Sequence, residues 1–136
     1  MTTDPRQALV ATVRAAYQAF ARGDVGAALE HVSPQVELRP EGTSSATGRS
    51  VYRGHQGIRD YFDDVARVWD GTLEVEPVDY RAVAGSVVVF GRVRARPRGE
   101  LFETEVVWVW KLREDKLISC QVFSTRRAAL AAARAS

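Results

Sequence analysis

The apolar pattern of this chain changes period once, at Asp70-Gly71, and that change constrains the fold more than any other feature. Before it, apolar residues recur every three or four positions, the spacing that gathers them on one face of a helix. After it they alternate, as in a strand whose two faces meet different surroundings. Helices gathered at the front and strands at the back specify an α+β domain, not a series of βαβ units.

The helical part divides at its punctuation. Thr3-Asp4-Pro5 combines capping side chains with a proline whose missing N–H costs nothing in a first turn. Leu9, Val10, Val13, Ala16, Tyr17 and Phe20 follow as one stripe, stopped at Gly23. Asp24 can cap a second helix through about Val32, burying Ala28, Leu29 and Val32, until Ser33-Pro34 pushes the chain out of helical geometry. Val36 to Arg39 reads as a short strand, and residues 41–50 as the longest loop. A third helix follows the Gly54-His55-Gln56-Gly57 turn, with Ile58, Tyr61, Phe62, Val65 and Trp69 as its stripe.

Four strands then read as Leu73 to Val83, Val87 to Arg96, Leu101 to Leu112 and Leu117 to Phe123. Short turns at Gly85-Ser86, Pro97-Arg98-Gly99 and Glu114-Asp115 imply an antiparallel meander. Pro77 places the first of these strands at an edge or a bend. If the Pro97-Arg98-Gly99 turn pairs residues whose numbers sum to about 197, Arg94 faces Glu103 and Arg92 faces Glu105, an arrangement that cross-strand attraction favours. Phe90, Val107 and Val109 then share the charged face, while Val89, Val93, Val106, Trp108 and Trp110 share the other, which meets the helices. The apolar part of the charged face needs a cover. A second copy of the chain, forming a homodimer, is the favoured one, and the C-terminal segment is the alternative. Residues 1–125 form the domain; 126–136 form an Ala/Arg-rich tail expected to fray.

Composition narrows the function. With 136 residues, 46% hydrophobic and 26% charged, the chain can bury one core and is not disordered. No apolar run reaches the ~20 residues that span a bilayer, and the N-terminus lacks the features of a secretory signal, so no membrane association is expected. The single cysteine, Cys120, excludes an internal disulfide and fits a cytoplasmic protein, and no Cys/His spacing suggests a metal. A net charge of +2 with scattered arginines argues against nucleic acid. No phosphate loop or nucleophile motif emerges, so no cofactor is implied.

Three segments carry a family likeness. Tyr17-Gln18-Ala19-Phe20-Ala21-Arg22-Gly23-Asp24, Tyr52-Arg53-Gly54-His55-Gln56-Gly57-Ile58 and Val106-Val107-Trp108-Val109-Trp110-Lys111-Leu112 resemble, in order and spacing, the NTF2-like superfamily and its SnoaL-like and ketosteroid-isomerase-like branch. The resemblance implies a cone: three N-terminal helices packed on a curved antiparallel β-sheet, enclosing a pocket. It does not select a reaction. Where steroid isomerases carry a base this chain has Leu38 or Arg39, with Glu37 one step away. The late aspartic position falls at about Trp108, and Tyr17 lies about one residue out of register. Steroid-type isomerisation is therefore disfavoured.

Tyr17, Glu37 and His55 are the candidate proton-handling residues. Phe20, Phe62, Trp69, Trp108 and Trp110 are the candidates to wall a ring-shaped ligand. Glu37 would serve only if it, and not Val36 and Leu38, faced the helices. The expectation is a SnoaL-like protein binding a small apolar molecule, as a cofactor-free isomerase, cyclase or lyase on a carbonyl compound. The alternative is a non-catalytic ligand-binding or dimerisation module.

Overall fold

The computed structural model describes residues 4–40 and 50–135. The elements run α1 (Pro5–Ala21), α2 (Val25–Leu29), β1 (Val32–Arg39), β2 (Tyr52–Arg53), α3 (Gly54–Val68), β3 (Glu74–Val83), β4 (Ser86–Ala95), a 3₁₀ turn (Pro97–Gly99), β5 (Phe102–Arg113), β6 (Lys116–Phe123) and α4 (Arg126–Arg134). The expected loop over 41–50 lies, but for Ser50, outside the described residues.

Local chemistry explains the helix starts. The Asp4 carboxylate accepts from the Arg6 amide at 2.9 Å with Pro5 in the first turn, and Asp24 accepts from the Ala27 amide at 3.0 Å. Gly23, at φ +74°, turns the chain between the two helices. The second helix is shorter than the sequence suggests. Its chain turns extended at Val32, because the Leu117 amide bonds the His31 carbonyl at 2.9 Å and Val32 pairs with Leu117. Pro34 thus lies inside β1, in the stretch between Val32 and Glu37 where the register with β6 shifts.

Six strands form one sheet in the order β2-β1-β6-β5-β4-β3. The meander from β3 to β6 is antiparallel as expected, but β1 runs parallel to β6, so the sheet is mixed. The hairpin register holds: Arg94 faces Glu103 with Nε 2.8 Å from the carboxylate, and Arg92 faces Glu105. Pro77 sits on the edge strand, at a register shift.

The concave face meets α1, α2 and α3 in a core containing Val13, Val36, Leu38, Ile58, Val89 and Leu117. The outer face is covered as well, by the chain itself. Residues 126–134 do not fray: they form α4, capped by the Thr125 hydroxyl, and press Ala129 and Ala133 onto Val88, Phe90, Val107 and Val109. This is the face on which the homodimer expectation rested. The C-terminal segment takes the place assigned to a second subunit.

Candidate functional site: an aromatic cluster

The site is built by period and register. Trp108 and Trp110 occupy successive inward positions of β5, and pairing of Tyr80 with Val89 and of Val89 with Trp108 sets Tyr80 on the same face two strands away. Tyr17, on the apolar stripe of α1, meets all three edge-on, with ring centroids 6.0 Å from Tyr80, 5.7 Å from Trp108 and 6.1 Å from Trp110. Phe20 and Phe62 continue the surface at 4.9 Å, and Phe62 meets Tyr61 at 5.6 Å. Tyr17, Phe20, Tyr61, Phe62 and Tyr80 all remain half-buried. Between helices and sheet these rings form an aromatic cluster packed on the core, with Tyr17 at its centre. Two surface depressions lie elsewhere. One, of about 310 Å³, is lined by Leu73, Arg94, Arg96 and Leu101; the other, of about 130 Å³, lies beside α4 and is lined by Arg39, Lys111, Ser119 and Gln121.

Tyr17 is the polar centre of the cluster. Trp110 Nε1 donates to its oxygen at 2.9 Å, and its own O–H has no acceptor among the described residues. Burial pushes the Tyr17 hydroxyl well above its ordinary value, and the nearby Cys120 thiol adds to that; the Trp110 bond works the other way. Burial likewise raises Tyr80, opposed by the guanidinium of Arg14, which stacks 4.8 Å from the Tyr80 ring centroid. Tyr17 is therefore a neutral donor at physiological pH.

The other expected residues fall elsewhere. Glu37 does not face the helices: Val36 and Leu38 take the core side, and the Glu37 carboxylate lies 3.4 Å from Arg39 and 3.9 Å from Arg53. His55, in the first turn of α3, bonds the Val32 carbonyl through Nε2 at 2.7 Å and so ties that helix to β1. Trp69 stacks on Phe102 at 5.1 Å, away from the rings that meet Tyr17. Sequence reasoning missed Tyr80 and Arg14 as members. Arg14 precedes Tyr17 by one helical turn, a spacing that puts both on neighbouring positions of α1. Tyr80 was hidden by the shift at Pro77, which changes which residues of β3 face inward.

Electrostatically the two sheet faces differ. Glu74, Glu76, Asp79, Glu103 and Glu105 pair in register with Arg94, Arg92 and Phe90 on the outer face, and Glu37 joins them on β1. The inward positions of the described strands hold no carboxylate.

A family model for the SnoaL-like domain matches residues 13–120 of this chain. The chain belongs to the SnoaL-like family. An uncharacterized protein, Rv0034 of Mycobacterium tuberculosis, is 32% identical over 92 residues, covering 67% of this chain and 69% of that protein. Among solved structures, TerC co-crystallised with polyporic acid superposes with a TM-score of 0.78 at 23% identity, over 95% of this chain and 99% of that one. An NTF2-like protein of unknown function from Burkholderia pseudomallei gives 0.75 at 19% identity, over 91% and 95%. These two likenesses establish the NTF2-like fold of this SnoaL-like domain.

Proposed function

We propose that the aromatic cluster between the helices and the sheet is the site at which the protein binds a planar, apolar carbonyl compound, held by ring contacts and by a hydrogen bond from Tyr17. The observation that carries this reading is the Tyr17 hydroxyl: its oxygen accepts from Trp110, while its proton has no acceptor among the described residues. Accepting from the indole polarises the O–H and makes it a stronger donor. Phe20, Phe62, Trp108 and Trp110 supply flat apolar contact, with Trp69 and Phe102 stacked farther out. That TerC, which shares the fold, was crystallised with a small molecule supports a small-molecule role here.

Binding is favoured over catalysis. An isomerase, cyclase or lyase without a cofactor needs a group that takes a proton, and the two candidates are engaged elsewhere, Glu37 with arginines on the outer face and His55 with a backbone carbonyl. The test is calorimetric titration with 2-methoxy-1,4-naphthoquinone, a neutral planar diketone. Saturable binding is expected, weakened about tenfold by Tyr17→Phe, the effect of losing one net hydrogen bond while keeping the ring. Absence of binding, or equal affinity in the variant, overturns the proposal.

A further inference from the structure

We infer that the smaller surface depression, beside α4 on the outer face of the sheet, is a binding site for a short-chain carboxylate. It lies across the sheet from the aromatic cluster, and the inference does not rest on the ligand proposed there.

The site follows from register. Leu38, Cys120 and Trp110 form one cross-strand row on β1, β6 and β5, and all three belong to the core on the helix side. The rows that flank it must therefore face outward. One is Arg39, Gln121 and Val109; the other is Glu37, Ser119 and Lys111. Helix α4 presses Ala129 and Ala133 onto the neighbouring apolar cluster and leaves Ala132 as a wall beside these rows. Between wall and strands lies the depression of about 130 Å³, lined by Arg39, Lys111, Ser119, Gln121, Val109 and Ala132.

Its charge is unbalanced. The Arg39 guanidinium lies 3.4 Å from the Glu37 carboxylate, but Arg53 lies 3.9 Å from the same group, so one acid serves two arginines. Lys111 makes no ion pair among the described residues, and α4 contributes no acid. Glu114 and Asp115, at the β5–β6 turn, are separated from Lys111 by the rung that pairs Arg113 with Lys116. Two cations thus line one small space, with the Ser119 hydroxyl and the Gln121 amide as neutral hydrogen-bonding groups. The planar fork of Arg39 matches the two oxygens of a carboxylate, and Lys111 adds a second positive charge. Val109 and Ala132 are apolar, and they favour a ligand with a hydrocarbon part over a wholly polar anion that would leave them unused. Size follows from volume. A cavity of about 150 Å³ holds one benzene, so a depression of this volume seats an acid of about four to six carbons.

The test is titration of isotope-labelled protein with pentanoate, followed through amide chemical shifts. Pentanamide serves as the neutral isostere and inorganic phosphate as the wholly polar anion. Pentanoate is expected to saturate with a Kd on the order of 1 mM, the strength so few atoms allow, and to move the amides of Ser119, Gln121 and Ala132. Pentanamide and phosphate should each bind at least about fivefold more weakly. Lys111→Gln should weaken pentanoate by about fivefold, and Ala132→Leu, which fills the depression from the α4 side, should abolish saturation. The dispersed amide spectrum of each variant shows that it is folded. The proposal is overturned if pentanoate does not saturate wild type, if its shifts fall on other elements, or if either variant keeps the wild-type affinity. It is overturned equally if pentanamide or phosphate binds as tightly as pentanoate.

Discussion

Tyr17 joins packing to polarity in one side chain, and that makes its ionisation a test of its placement. Its folded-state value lies well above the ordinary 10.0, and that of the buried Cys120 lies well above 9.0, each chiefly through loss of hydration. Below about pH 8 neither group is appreciably ionised in the folded or the unfolded chain, so their contribution to stability is complete. As pH rises past these ordinary values, the unfolded chain releases protons that the folded chain retains. Stability must then fall, and continue to fall until the folded groups titrate as well. Thermal unfolding of wild type between pH 8.5 and 10.5 should therefore show a decline that Tyr17→Phe makes shallower; parallel curves for the two proteins would show that Tyr17 is not buried as described. The helical stripe made the position of Tyr17 legible in the sequence. Its partner was not legible, because Trp110 lies on a strand far along the chain and their meeting depends on how α1 crosses the sheet.

At the scale of elements, the sequence was most informative where neighbours in the chain are neighbours in space. The β4–β5 hairpin register followed from its turn and from the alternation of Arg and Glu, and Pro77 marked β3 as bent or at an edge; it is at the edge, with a register shift at Pro77. What escaped were pairings between distant segments. The parallel contact of β1 with β6, the two-residue strand β2 and the docking of α4 are set by which surfaces remain open once the meander has formed. On β1, alternation favoured Val36 and Leu38 over Glu37 as the inward pair, and they do face the core. The shift at Pro77 has a counterpart across the strands in Gly91. A Cβ there would lie 2.4 Å from the Glu76 carbonyl oxygen and 3.0 Å from both the Pro77 Cα and the Trp108 ring. Two of those three neighbours are backbone and cannot rotate aside, so Gly91→Ala must push β3 from β4 just where Tyr80 joins the aromatic cluster. We expect it to cost about 2–4 kcal/mol in chemical denaturation, in the range of overpacked core substitutions. A loss under about 1 kcal/mol would mean that the edge strand yields freely.

The whole molecule is a sheet clothed on both faces, and the two coverings do different work. On the concave side the helices pack on the sheet through an aromatic cluster, while on the outer side α4 closes over Val88, Phe90, Val107 and Val109. Phe90 is held further by two guanidinium groups, Arg126 at 4.8 Å from its ring and Arg81 at 5.5 Å, so the start of α4 is fixed as well as its alanine face. Removing residues 126–136 would return that apolar surface to water. At ~1.5 kcal/mol for each such side chain, re-exposing even two of the four costs about 3 kcal/mol, a large share of a small domain's stability. The truncated chain should therefore unfold at lower denaturant and shift toward dimer or larger species in light scattering at micromolar concentration. If it kept both the stability and the mass of the full-length chain, α4 would not be the cover that the outer face requires.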